Sequence, residues 1–218
     1  MSQHTLTLLR FTYKKLKEKL TVSDSKKLFH EQFPYVIPGL YKRIVDEMLV
    51  ELNLLNHQNE FTQDHLFCIG LTEIFKELTK GYKPEQHLEL LFESLCSSTN
   101  FKAKEITEIS KKFLQEFNDK TSKDLLKLLK EKSNSKLYQS RILNLGIYTL
   151  ISNTKDYKGK NESEINNMIS EIFEMLNLSK SKAEKDIGIY QSSISKMEQA
   201  KELIEELKLK EKKKLQNK

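Results

Sequence analysis

Apolar residues recur through most of this chain every three or four positions, the spacing of one face of an α-helix. The clearest run follows Pro38, where Leu40, Ile44, Met48, Leu52 and Leu55 form a stripe that Tyr41, Val45 and Leu49 widen. Proline at the first helical position is preorganised for a helix start, so Pro38 is expected to open a helix buried along one side. Just before it, Ser23 or Asp24 can cap a short helix carrying Leu28 and Phe29. Pro34 and Pro38 then hold "FPYVIPG" extended, because each disfavours α geometry in the residue before it. The result is a stiff apolar elbow.

Further on, Thr62 can cap a helix through Leu66, Phe67, Ile69, Gly70, Ile74, Phe75 and Leu78, which Gly81 can end in a left-handed turn. Gly70 inside that helix costs about 1 kcal/mol relative to alanine, which points to close contact with another backbone. Pro84 is expected to start the next helix, with Leu88, Leu91, Phe92 and Leu95, and another carries Ile106, Ile109, Phe113, Leu114 and Phe117. "TSKDLLKLLKEK" reads as a short helix capped by Thr121. "LYQSRILNLGIYTLIS" has the branched residues of a buried strand, but a lone strand has no partner, so it reads as a central helix with Gly146 at a crossing. After a polar loop over 153–160, Ile165, Met168, Ile169, Ile172, Phe173 and Leu176 mark one more helix.

The two ends differ from this body. At the start, Leu9, Tyr13, Leu16 and Leu20 share a stripe flanked by Lys14, Lys15, Lys17 and Lys19, so residues 1–20 read as an amphipathic extension that lies on an anionic bilayer, frays, or packs on the chain's own domain. At the other end, Ser181 and Glu184 have capping-box spacing. Ile187, Tyr190, Ile194 and Met197 then follow a heptad until Lys201 takes the seam and Ala200, Ile204 and Leu207 shift the stripe. Roughly 30 helical residues rising 1.5 Å each span on the order of 45 Å, longer than a compact domain covers, so the distal half is expected to project. The fold expectation is all-α: a multi-helix globular bundle over residues 21–180 and a long projecting C-terminal helix over 181–218, a possible coiled coil.

Composition narrows this picture. The 218 residues are 38% hydrophobic, enough for a core, and hold only 3 prolines and 6 glycines, which favours long helices. The net charge of +6 is carried almost wholly by lysine interleaved with glutamate, since arginine occurs only as Arg10, Arg43 and Arg141. That is the pattern of a solvated surface more than of a nucleic-acid site. Cys68 and Cys96 fall inside apolar helical runs, so they read as core thiols in a reducing compartment. No apolar window is long enough to cross a membrane and no secretory leader is visible, so the chain is expected to stay inside the cell.

Little in the sequence converges on chemistry. His57, Glu60 and His65 form the closest histidine group but lack metal-ligand spacing, and the cysteines lack an exposed electropositive setting. No phosphate-binding glycine loop occurs, so neither a cofactor nor an enzyme activity is expected. The competing reading is a DNA-binding helix-turn-helix over residues 179–198, with Gly188 at the turn and Ser192, Ser193, Ile194 and Ser195 opening a recognition helix. Against it, Glu184 stands where the motif wants a small residue, and the helical pattern runs on through Lys201.

Four stretches carry a resemblance: "VSDSKKLFHEQFPYVIPGLYKRIVDEMLVELNLL", "DHLFCIGLTEIFKELTKGY", "YQSRILNLGIYTLI" and "LNLSKSKAEKDIGIYQSSISKMEQAKEL". In order, over about residues 22–214, they resemble the thylakoid formation, or photosystem II biogenesis, protein family. The resemblance implies a non-catalytic, all-helical protein, peripheral on the cytoplasmic side of the thylakoid membrane in a photosynthetic bacterium. It implies a role in photosystem II biogenesis and repair by binding and sustaining an FtsH-type membrane protease, with no nucleic-acid partner. It carries over no active-site residues, and neither residues 1–20 nor the weakly matched 83–135 inherit a role. Read together with the periodicity, it makes Phe33, Pro34, Tyr35, Pro38 and Tyr41 of the elbow, and Met197, Ala200, Ile204 and Leu207 of the last helix, the candidate partner-binding residues.

Overall fold

The computed structural model of the chain describes residues 19–117, 119–132 and 137–216, in which helices are the only regular elements and no strand occurs. The helices are α1 (Val22–Gln32), α2 (Gly39–His57), α3 (His65–Leu78), α4 (Leu88–Ser97), α5 (Ala103–Phe117), α6 (Ser122–Lys132), α7 (Arg141–Asn153), α8 (Glu162–Met175) and α9 (Lys180–Gln216). The all-α expectation holds. Except for Lys19 and Leu20, the amphipathic extension lies outside the described residues.

The expected glycine contacts are both present, and they are one contact. α3 crosses α7 so closely that a Cβ added at Gly70 would sit 1.9 Å from the Ile142 carbonyl oxygen. A Cβ at Gly146 would sit 1.9 Å from the Leu66 carbonyl oxygen. Each glycine therefore receives the backbone of the other helix, four residues before the other glycine. Around this crossing Phe67, Ile69, Leu71, Leu143, Leu145 and Ile147 are all buried. α5 packs on α3, α8 and α9 pack on α7, and α1 and α2 close the other side through α4.

Helix starts correct the sequence reading by two to four residues. Thr21, not Ser23 or Asp24, caps α1: its Oγ1 accepts from the Asp24 amide at 3.1 Å while the Asp24 carboxylate accepts from the Thr21 amide at 3.1 Å. The Asp24 carboxylate also accepts from the Thr21 hydroxyl at 2.6 Å, and this side-chain bond first, then the one from the Thr21 amide, holds the Asp24 carboxyl below its ordinary pKa. Asp64, not Thr62, caps α3 by accepting from the Phe67 amide at 2.8 Å. Pro84 opens a single 3-10 turn, Glu85–His87, and α4 proper begins at Leu88. α9 begins at Lys180, so the Ser181–Glu184 box is not formed; Ser179 Oγ accepts instead from the Lys182 amide at 3.4 Å. Gly81 does adopt the left-handed conformation, φ +82°.

α9 is one helix of 37 residues. Gly188 is interior to it, so the turn that a helix-turn-helix would need over 179–198 is absent.

Candidate partner-binding surface

The root of α9 is tied to the body by polar groups that the apolar pattern could not show. Gln139, just before α7, donates from Nε2 to the Ser179 carbonyl at 2.8 Å and accepts the Ser179 amide on Oε1 at 2.8 Å. It thereby pairs with the chain as a strand neighbour would. Lys182 Nζ donates to the Gln139 carbonyl at 2.7 Å, and the buried Asn144 donates from Nδ2 to the Asp186 carboxylate at 2.7 Å. Beside this network Arg141 pairs with Glu51 of α2. Burial pushes the Glu51 carboxyl above its ordinary pKa, against the opposing pull of Arg141. α9 therefore leaves the body at a fixed angle.

From that root α9 lies on the body through Ala183, Ile187, Tyr190 and Met197, all buried. Lys201, which breaks the apolar seam, closes the contact. Its Cδ and Cε lie 3.6 Å from where a Gly81 Cβ would be, and the Tyr41 hydroxyl is equally near that point. The aliphatic stem thus lies over a bare backbone turn. Beyond it Leu203 is 58% exposed, Ile204 39%, Leu207 51% and Leu209 is likewise exposed. Fifteen residues, 202–216, continue as helix, an arm of about 22 Å.

The elbow sits at the same end. Tyr41, whose hydroxyl lies beside the same Gly81 position as the Lys201 stem, donates from that hydroxyl to the Lys80 carbonyl at 3.3 Å and stands edge-on to Tyr82 at 5.1 Å. The loop running from Tyr82 brings His87 under the elbow, where Tyr35 stacks on its ring at 3.9 Å. Phe33 is buried, stacked on Phe29 at 5.9 Å. Phe33 points in, whereas Pro34, Tyr35 and Val36 are all exposed, so the elbow bends outward instead of alternating sides as a strand would. Val36 is 91% exposed at the tip.

The nine candidate residues separate accordingly. Phe33, Tyr41 and Met197 are buried and support the surface from beneath; Pro34, Tyr35, Pro38, Ile204 and Leu207 are exposed, and Ala200 is half-buried. The structure brings the two groups to one end of the bundle through Lys201, Gly81 and Tyr41, which the sequence did not foretell. It adds Val36 and Leu203, apolar residues whose exposure a periodicity argument cannot assign.

Elsewhere nothing assembles into a reaction centre among the described residues. Cys68 and Cys96 are buried, and desolvation pushes both thiols up to about 12, where a thiolate nucleophile is not formed at neutral pH. His57 Nδ1 lies 2.7 Å from the Asn53 carbonyl and His65 packs against Phe113 at 5.0 Å. No group of three or more His, Cys, Asp and Glu that could hold a metal occurs among the described residues, His57, Glu60 and His65 included.

The geometry defines an all-helical protein with exposed apolar side chains on the elbow and on the distal part of α9. Residues 21–218 match the thylakoid formation protein family, and the chain belongs to it. It is 79% identical over 199 residues to Protein Thf1 of Prochlorococcus marinus (strain MIT 9312), covering 91% of this chain and 99% of that one. It is 71% identical over 198 residues to Protein Thf1 of Prochlorococcus marinus subsp. pastoris (strain CCMP1986 / NIES-2087 / MED4), covering 91% and 98%. A solved structure of Psb29 shares the fold, with a TM-score of 0.72 at 23% identity over 82% of this chain and 98% of that one.

Proposed function

We propose that this chain is a non-catalytic accessory protein of photosystem II biogenesis and repair, working at the cytoplasmic face of the thylakoid membrane. It binds a membrane-anchored FtsH-type protease and sustains it. Family membership supports the thylakoid setting. No described helix is long and apolar enough to cross a membrane, which fits attachment through a partner. The observation that carries the reading is the arm: Leu203, Ile204 and Leu207 remain exposed on a helix that has already left its body. An amphipathic helix of this kind docks by laying its apolar face into a groove. Val36 and Tyr35, at the same end, supply a second, rigid contact.

The test is affinity capture from thylakoid extracts with the full chain, a chain lacking residues 202–218, and Val36→Glu, each checked for an unchanged melting temperature of the body. The protease is followed by immunodetection. It is expected to co-purify with the full chain, to fall at least tenfold with the shortened one and to fall less with Val36→Glu. Equal recovery from the full and shortened chains would remove the arm from the role.

A further inference from the structure

The arm is not uniform along its length. Its first half is acidic, with Glu202, Glu205 and Glu206, and is preceded by the exposed Glu198 and by Lys201, whose stem lies on the body. Its second half is basic, with lysines at 208, 210 and 212–214 set against Glu211. The exposed side chains of Leu203 and Ile204 stand among the glutamates, and that of Leu207 at the junction between the halves.

We infer that the arm also pairs with the arm of a second copy of this chain, antiparallel, in a weak and reversible dimer. Antiparallel pairing lays the acidic half of each arm along the basic half of the other and brings the two apolar stripes together between them. Parallel pairing would set acid against acid and lysine against lysine, which is destabilising along a helix pair. Intrahelical pairing does not use up this charge: Glu206 and Lys210 lie 3.9 Å apart but both are exposed, and such a pair contributes little. Shape agrees with charge. Each arm is free of its own body after Lys201; centred near residue 205, two antiparallel arms overlap freely over residues 202–208, about 10 Å, and the basic end of each runs on past the exposed Glu198 of the other, with the bodies at opposite ends.

The contact is small. Three apolar side chains from each copy bury well under the roughly 1,200 Å² of a stable interface, which places the dissociation constant on the order of 100 µM. The pairing hides the surface assigned above to the protease. It therefore competes with partner capture and disfavours unengaged arms standing free. It rests on the arm being an open binding surface, as the proposed function does, but not on who the partner is.

Sedimentation velocity on the full chain from roughly 5 to 500 µM tests this without any partner present. Monomer at the low end and a rising dimer fraction at the high end are expected, with the dimer weakened by salt. Glu202→Lys/Glu205→Lys/Glu206→Lys should be monomeric throughout, as should Lys208→Glu/Lys210→Glu/Lys212→Glu, and an equimolar mixture of the two should pair again. Direction is read by a spin label on Gln216→Cys, Cys68 and Cys96 being buried. Pairing centred near residue 205 puts the labelled backbones about 33 Å apart, whereas parallel arms bring them to about 10 Å. A monomer at the highest concentration, a dimer indifferent to both charge reversals, or the short distance would each overturn the inference. Failure of protease capture with the dimer intact would overturn the proposed function instead.

Discussion

Gly70, Gly146 and Gly188 are all interior to helices, yet they belong to two regions built on different principles. At Gly70 and Gly146 a side chain has nowhere to go, because a carbonyl oxygen of the crossing helix already occupies its place 1.9 Å from the would-be Cβ. At Gly188 on α9 nothing lies within 4 Å. The α3–α7 crossing is held by mutual backbone approach with side chains buried all round it. α9 is held along one stripe only, and after Lys201 by its own hydrogen bonds alone. The same residue is indispensable in one region and a weakness in the other.

The largest expected effect breaks the crossing. Gly70→Ala and Gly146→Ala should each cost about 3 kcal/mol or more, since backbone cannot yield as a side chain tip can. A thermal melt should fall by roughly 10 °C for each. Because both press on the same pair of helices, the double variant should cost clearly less than the sum.

Next comes the root of α9. Asn144→Ala strips the Asp186 carboxylate and Gln139 of a buried partner, an expected loss of about 1–3 kcal/mol by denaturant titration. Gly188→Ala sharpens the contrast in the opposite direction. It should stabilise by up to about 1 kcal/mol, because alanine loses less backbone freedom in an open helix position.

The smallest effect is a pH slope from Glu51. Its folded pKa lies above the unfolded one because burial disfavours the charged form. The folded state therefore holds its proton longer, and this contribution to stability is complete below the unfolded pKa and lost as pH rises through the folded one. Glu51→Gln should flatten that part of the stability profile, which urea midpoints measured from pH 4 to 7 would show. An unchanged slope would mean that Glu51 does not titrate in this window.

Much of the body was legible because it is built by periodicity. Isolated glycines in apolar helical runs marked Gly70 and Gly146 as close contacts; that they meet each other is a tertiary fact no single segment contains. Helix starts slipped where candidates crowd together, as in "TVSDS" and "TQDH", since backbone geometry and not residue type decides between adjacent caps. The candidate surface was half legible. An elbow between two prolines was plain, but which of Phe33, Tyr35 and Val36 faces solvent follows from what lies beneath, and His87 is 52 residues from Tyr35. In α9 the lysine at a seam position marked where body contact ends. The polar clamp of Gln139, Asn144, Lys182 and Asp186 left no signal, because paired polar residues look like surface residues until their partners are known.

The central claim is that α9 changes character at Lys201, from a packed helix to a free arm. Amide hydrogen exchange on the full chain at low micromolar concentration reads this directly. The account expects amides from Ile187 to Met197 to exchange no faster than those of the body, and those beyond residue 204 to exchange orders of magnitude faster. Uniform slow exchange along the whole of α9 at that dilution would contradict it.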